Sequence, residues 1–204
     1  MATTTPHPDG TEVRTFDPRL DAGTATERTD RITTGAYLRS RVASLFGRDE
    51  RPADVSLVYY PDYVAYTTVT LHRYVGGDRT VKFLVGIDAV TGRVGEVDVD
   101  LPTREARRVD PSAVIAPDRS PVDAEAEWEE WLFPYLDRRF RPVKRPDYTL
   151  DDLELVFVPY WLVDYGSAEE SYVVSGLTKQ VEEVVSLKPV EGYYAETRGA
   201  GARE

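Results

Sequence analysis

Two stretches of this chain read as long β-strands, and each carries a proline in its middle. Asp54-Val-Ser-Leu-Val-Tyr-Tyr-Pro-Asp-Tyr-Val64 and Asp152-Leu-Glu-Leu-Val-Phe-Val-Pro-Tyr-Trp-Leu162 are rich in β-branched and aromatic residues, the composition that suits a pleated, half-buried surface. Proline has no N–H to give to a ladder, so within a strand it marks a sheet edge or a bulge. Pro61 and Pro159 therefore predict two strands whose pairing is locally interrupted. Any fold of this chain has to accommodate that interruption twice.

The two stretches also align with each other. A shift of 98 positions superposes Asp54 on Asp152, Leu57 on Leu155, Val58 on Val156 and Pro61 on Pro159, with aromatic pairs at Tyr59/Phe157 and Tyr63/Trp161. A second match lies downstream at a shift of 87, where Thr91, Val94, Glu96 and Val97 fall on Thr178, Val181, Glu183 and Val184. The eleven-residue difference predicts a longer hairpin in the first copy, turning at Gly76-Gly77-Asp78, and an earlier turn at Gly166-Ser167-Ala168 in the second. A tight turn at Thr91-Gly92 follows, where glycine takes φ > 0 without steric cost, and Lys179 holds the corresponding place.

Helix signals precede each strand. Thr34 to Phe46 places Leu38, Val42 and Leu45 on one face and ends at Gly47. A stronger helix opens at Ser120, with Pro121 at its first position and Asp123 completing a capping box. Trp128, Trp131, Leu132, Tyr135 and Leu136 form its apolar face, and Arg138 and Arg139 suit the dipole at its end. Pro134, inside the pattern, predicts a kink or a restart. The expected fold class is thus α+β, two tandem degenerate repeats of a helix plus an antiparallel meander, with disordered termini. The boundaries are a tail over 1–30, a first repeat over 31–100, a linker rich in proline over 101–119, a second repeat over 120–188 and a tail over 189–204.

A helix followed by a meander with the turn Asp88-Ala-Val-Thr-Gly92 resembles the small PepSY-type domains, which often occur in tandem, and more loosely the cystatin-like helix cradled by a curled sheet. The resemblance spans about Thr33 to Val99 and Ser120 to Val185. The chain departs from it in the strand prolines and in the lysine at position 179. The resemblance implies a binding or inhibitory module rather than an enzyme.

Composition narrows the chemistry further. There is no cysteine, which excludes disulfides, thiolate nucleophiles and thiolate metal sites. The 36 acidic and 25 basic residues give a net charge of −11, and the lysines are Lys82, Lys144, Lys179 and Lys188 alone. Many carboxylates with scarce lysine look like the surface of a halophile protein, where molar salt shrinks the Debye length to about 3 Å and quiets self-repulsion. No apolar run approaches the ~20 residues that span a bilayer, and the start of the chain has no apolar leader, so a soluble, cytoplasmic protein is expected.

Of the two histidines, His7 lies in the tail and His72 in a strand, so a histidine-based site would have to be assembled around His72, with Asp88 or Asp164. Asp147, Asp151 and Asp152 cluster ahead of the second long strand without the spacing of a calcium loop. Arg138 to Arg145 is the one dense basic run, with Phe140 interleaved, as a nucleic-acid contact would need; helix-end and loop solvation also account for it.

The most distinctive candidates are the strand aromatics Tyr60, Tyr63, Tyr66, Tyr160, Trp161 and Tyr165, read as edge surfaces able to capture a protein strand or a second copy of the chain. The same rings would also serve as packing against the Trp128 helix. The expected function is therefore a non-enzymatic interaction or scaffold module with no cofactor and no metal, acting on a protein partner or by self-association as a homo-oligomer, without membrane or nucleic acid. The alternatives are a small-ligand or enzymatic pocket between helix and curled sheet, and nucleic-acid binding through Arg138–Arg145.

Overall fold

The computed structural model describes residues 10–32, 52–168 and 170–201. In chain order its elements are β1 (Thr11–Phe16), α1 (Ala22–Ile32), β2 (Asp54–Leu71), β3 (Arg79–Asp88), β4 (Val94–Glu96), β5 (Arg104–Val109), α2 (Pro121–Phe140), β6 (Asp147–Asp164), β7 (Tyr172–Ser175), β8 (Val181–Glu183) and α3 (Lys188–Gly201), with short 3-10 turns at Pro111–Ala113 and Val184–Ser186. The fold is mixed, three helices among the described residues with one eight-stranded sheet in the order β4-β3-β2-β6-β1-β5, from which β7 and β8 branch off β6. No described helix is long and apolar enough to cross a membrane.

The chain divides into two compact units. One comprises residues 1–60, 101–115 and 157–204, the other 61–100 and 116–156. The first holds β1, β5, α1, α3 and the β7–β8 pair; the second holds β3, β4 and α2. Both long strands contribute to both units, β2 changing membership between Tyr60 and Pro61 and β6 between Val156 and Phe157.

The second unit is built around α2. Ser120 caps it as the sequence predicts: its hydroxyl accepts from the Asp123 N–H at 3.3 Å and the Asp123 carboxylate accepts from the Ser120 N–H at 2.9 Å. The helix runs unbroken through Pro134 to a left-handed cap at Arg141. Trp128, Leu132 and Leu136 are buried against Tyr63, Ala65, Val69, Leu71, Val85 and Ile87 from β2 and β3, and the Trp128 indole N–H donates to Thr67 Oγ1 at 2.9 Å. In the first unit α1 does a similar job with smaller side chains. Asp21 Oδ1 caps it by accepting from the Thr24 N–H, Ala25 is buried with Leu20, Val163 and Val174, and Thr29 Oγ1 meets the Tyr165 hydroxyl at 3.0 Å.

Several expectations are corrected here. Residues 10–30, expected as tail, carry β1 and α1; the expected linker contains β5; the expected carboxy-terminal tail from 189 forms α3. The helix expected over 34–46 lies outside the described residues. α1 packs in one unit with β7, and α2 in the other with β3 and β4.

The prolines are not at sheet edges. β2 lies between β3 and β6, and β6 between β2 and β1. What changes at each proline is the partner on one flank. Tyr59 bridges Val114 in parallel, and from Asp62 onward β2 pairs antiparallel with β3. Likewise Phe157 pairs in parallel with Thr15, and from Tyr160 onward β6 pairs antiparallel with β7.

Each proline itself accepts across the new ladder, the Ala89 N–H donating to Pro61 O at 3.1 Å and the Gly176 N–H to Pro159 O at 2.8 Å. A regular pair would return the bond from the proline's own N–H, which does not exist. The carbonyls so released accept elsewhere. Ala89 O takes the N–H groups of Asp118 and Arg119, immediately before α2, at 2.9 and 2.8 Å, and Gly176 O takes that of Arg19, just before α1, at 2.7 Å.

The same spacing recurs through both meanders. Asp62↔Asp88 corresponds to Tyr160↔Ser175, Tyr63↔Ile87 to Trp161↔Val174, and Val85↔Glu96 to Tyr172↔Glu183. The β3–β4 turn closes by Gly92 N–H to Asp88 O and the β7–β8 turn by Lys179 N–H to Ser175 O, at 2.9 and 3.0 Å. Gly92 has φ 73° and Lys179 φ 65°, so the lysine takes the left-handed conformation that glycine takes freely.

Two outcomes follow for stability. Pro61→Ala or Pro159→Ala introduces an N–H aimed at a carbonyl already in use, and each is expected to cost about 1–3 kcal/mol in denaturant unfolding. Lys179→Gly relieves the left-handed lysine and is expected to raise stability by up to about 1 kcal/mol in the same assay.

Candidate functional site

Burial decides what the strand aromatics can do. Tyr60 and Tyr63 are 8% and 3% exposed, while Tyr66, Tyr160, Trp161 and Tyr165 are half-buried. Tyr60 packs edge-on against Tyr160 with ring centroids 6.0 Å apart. The Tyr63 hydroxyl donates to Arg119 O at 3.1 Å, and the Trp161 indole N–H to Leu20 O at 3.0 Å. Tyr165 donates to Asp30 Oδ1 at 2.9 Å, and its phenol is pushed up to about 12, mainly by burial. Tyr60, Tyr63 and Tyr66 on β2 and Tyr160 and Trp161 on β6 sit on interior strands, and Tyr63, Trp161 and Tyr165 have their polar ends engaged. The reading of them as an open aromatic edge is corrected, because the strand partner changes at the proline rather than being lost.

The two meanders differ most in their hairpins. β2 and β3 pair over ten residues, from Asp62↔Asp88 to Leu71↔Arg79, whereas β6 and β7 pair over four. The helices differ in step, α2 having 20 residues and α1 11. The added hairpin length buries Val69 and Leu71 with the added helical turns around Leu132 and Leu136, so it is supported rather than loose. Trp131 stacks on Tyr135 at 4.3 Å, and Tyr135 meets Phe83 at 5.6 Å, along the same stretch.

At its end the hairpin exposes Tyr74 and Val75, 77% and 87% accessible, followed by Gly76 and Gly77 at φ 88° and 77°. Two adjacent large apolar side chains this open are an unusual cost on a protein surface, since their burial would be worth roughly 1.5–3 kcal/mol each. They stand on a defined base. His72 Nδ1 lies 3.1 Å from Asp78 Oδ2, across the neck of the loop, and His72 Nε2 lies 3.1 Å from Asp147 Oδ2, on the first residue of β6. The hydrogen bond to Asp78, and then the charges of the two carboxylates, raise the imidazole above its ordinary range. Nearby, Thr68 Oγ1 donates to Asp151 Oδ2 at 2.5 Å, with Lys82 Nζ 3.8 Å from the same oxygen. The carboxylates around His72 are thus Asp78 and Asp147, not Asp88 or Asp164 as the sequence suggested.

Asp164 and Asp88 serve other ends. Asp164 is buried and accepts from the Tyr194 hydroxyl at 2.8 Å, the Gly166 N–H at 2.7 Å and the Ser171 hydroxyl at 3.2 Å, which fastens α3 to β6. Asp88 Oδ1 accepts from the N–H groups of Val90 and Thr91, as Ser175 Oγ does from Leu177 and Thr178. Directly opposite Asp88 stands Asp62, whose carboxyl is raised to about 7, first by burial and then by the charge of Asp88. The corresponding pair in the other meander, Tyr160 and Ser175, is neutral, so the strand pairing does not require two acids.

The basic run is exposed at Arg138, Arg139, Arg141, Lys144 and Arg145, and three of its arginines contact neighbours on α2 and β4. Arg138 Nε donates to Pro134 O at 3.2 Å, Arg139 lies 4.0 Å from Glu96, and the Arg145 guanidinium sits 5.7 Å above the Phe133 ring. Among the described residues there is no group of three or more histidines and acids arranged to hold a metal ion. Comparison with protein-family models, with curated proteins and with solved structures finds no match to this chain.

The Asp62 shift carries a pH prediction. A folded carboxyl raised from 3.8 to about 7 keeps a proton that the unfolded chain has released, so its contribution to stability falls as pH rises across that window and is flat above it. Asp62→Asn is expected to remove this slope and to be the more stable protein at pH 8. The full shift corresponds to about 4 kcal/mol, and partial exposure of the side chain reduces the expected gain to about 2 kcal/mol. Urea unfolding of both proteins between about pH 4 and 8 is the measurement.

Proposed function

We propose that this chain is a non-enzymatic protein-interaction module whose contacting element is the long β2–β3 hairpin, with Tyr74 and Val75 as its apolar tip. One observation carries the reading: where two meanders share register, turn geometry and carbonyl docking, one of them has a longer hairpin ending in two large exposed apolar residues. We read the two meanders as degenerate copies of one unit, supported by the recurrence of their pairing at constant offsets. On that reading the shorter copy supplies an internal reference for what the fold requires, and the extension stands out as an addition made for contact. The resemblance to PepSY-type domains, as binding or inhibitory modules, points the same way.

The partner implied is a protein with an apolar recess that takes an aromatic ring beside a β-branched side chain, rimmed by groups able to meet Arg73 and Arg79 at the loop ends. Both ring nitrogens of His72 face carboxylates at 3.1 Å, Asp78 across the loop and Asp147 on β6, an arrangement that ties the loop down.

The test is a photo-crosslinking residue placed at Tyr74 and, separately, at the equally open Val122 on α2. The expected outcome is a discrete adduct from position 74 only, competed away by added wild-type protein and not by Val75→Asp protein. An adduct of twice the chain mass identifies the partner as a second copy. Equal labelling from both positions, or competition by Val75→Asp protein, defeats the proposal.

A further inference from the structure

Beyond the last ladder pair, Leu71↔Arg79, the loop at the hairpin's end is tied by His72, and the chemistry of that contact makes it sensitive to protons. His72 closes the neck of the loop by facing Asp78 through Nδ1 and ties the loop to β6 by facing Asp147 through Nε2, both at 3.1 Å. A carboxylate can only accept. An imidazole therefore satisfies both contacts only as the imidazolium, with an N–H on each nitrogen. The neutral ring has one N–H, and its other nitrogen would turn a lone pair toward a carboxylate oxygen. One of the two ties must then open, whichever tautomer is chosen. The loop between them, Arg73 to Gly77, contains two glycines in left-handed conformations and two exposed apolar side chains, so little else constrains it.

We propose that His72 is a proton-operated clasp: as the imidazolium it pins the Tyr74–Val75 tip in one conformation, and on losing its proton it releases one of its two ties and lets the tip move. The charged groups acting on the ring are Asp78 from the far side of the loop and Asp147 from the start of β6. Both stabilise the protonated ring and raise its titration above the ordinary range, so the closed state persists to higher pH than a lone histidine would allow. The clasp's contribution to order is complete below the ordinary imidazole range and is lost as pH rises through the raised value. It also weakens in high salt, because the three side chains are partly exposed. The inference deepens the proposed interaction function by assigning its regulation, and rests on the hairpin being the contacting element. The clasp itself is measured on the free protein, without any partner.

A chain without cysteine accepts a single nitroxide cleanly, and Val75→Cys places it at the tip. Electron paramagnetic resonance is recorded across about pH 5 to 9, alongside an NMR titration of the His72 ring. The expected result is an immobilised spectral component at low pH that disappears in step with the His72 titration. In the His72→Gln background the spectrum is expected to be mobile and independent of pH. In the Asp147→Asn background, a milder change that keeps the ring, the transition is expected at lower pH than in the parent. Circular dichroism establishes that both variants are folded. A spectrum unchanged across the range in the parent, or a transition that survives His72→Gln, overturns the clasp. Loss of the crosslinked adduct with an intact transition instead overturns the interaction reading alone.

Discussion

Two carbonyl groups seat the helices of this protein on their strands. Ala89 O and Gly176 O stand opposite Pro61 and Pro159, which have no N–H to offer, and so each is free to receive the backbone just ahead of a helix. A buried carbonyl must find a donor, and the chain before α1 and α2 supplies it. The proline thereby sets where the helix begins relative to the strand, and the helix then buries its inner face: Ala25 in one unit, and Ala124, Trp128, Leu132 and Leu136 in the other. Gly176 shows how close this arrangement is, since a Cβ there would lie 2.7 Å from Pro159 O. A residue that reads as a breaker of strands works here as an organiser of helix docking.

With that frame common to both meanders, the differences between them become informative. A neutral Tyr160–Ser175 pair holds one register where the other has Asp62 and Asp88, so one turn is capped by a hydroxyl and the other by a carboxylate beside a second acid whose carboxyl is raised by burial. Lys179 accepts a strained conformation that Gly92 adopts freely. The longer helix goes with the longer hairpin because each supplies the apolar surface that the other must cover. Extending either alone would expose a hydrophobic face. The longer hairpin ends in the loop whose base carries His72 between Asp78 and Asp147.

Legibility in the sequence followed the strength of local signals. The capping box at Ser120 and the apolar face from Trp128 to Leu136 define α2 without reference to the rest of the chain. The long strands and their turns at Gly76, Gly92 and Gly166 declare themselves through aromatic, β-branched and glycine residues. β1, α1, β5 and α3 were missed for the converse reason. α1 buries alanine and threonine rather than a stripe of large residues, and β5 is Arg-Glu-Ala-Arg-Arg-Val, whose pairing with β1 rests on backbone hydrogen bonds and on partners such as Asp17 for Arg107. Such segments are ordered by what they pair with, which composition does not encode. The site was legible only as residue types: His72 stood out by rarity, but its partners Asp78 and Asp147 lie 6 and 75 positions away in a chain full of acids.

By itself the sequence determined the local grammar of this protein: where strands and the capped helix form, where glycine turns them, that proline interrupts pairing at 61 and 159, and that thiol chemistry is excluded. Tertiary structure decided what those local facts were for. An N–H missing from a strand is a defect or a docking point according to what approaches the opposite carbonyl, and that approach is made by residues distant from it in the chain, Asp118 and Arg119 toward Ala89 and Arg19 toward Gly176. Side-chain burial likewise depends on the neighbours that the sheet order brings, which is why the strand aromatics turned inward while Tyr74 and Val75, unremarked in the pattern of the chain, were left in the open.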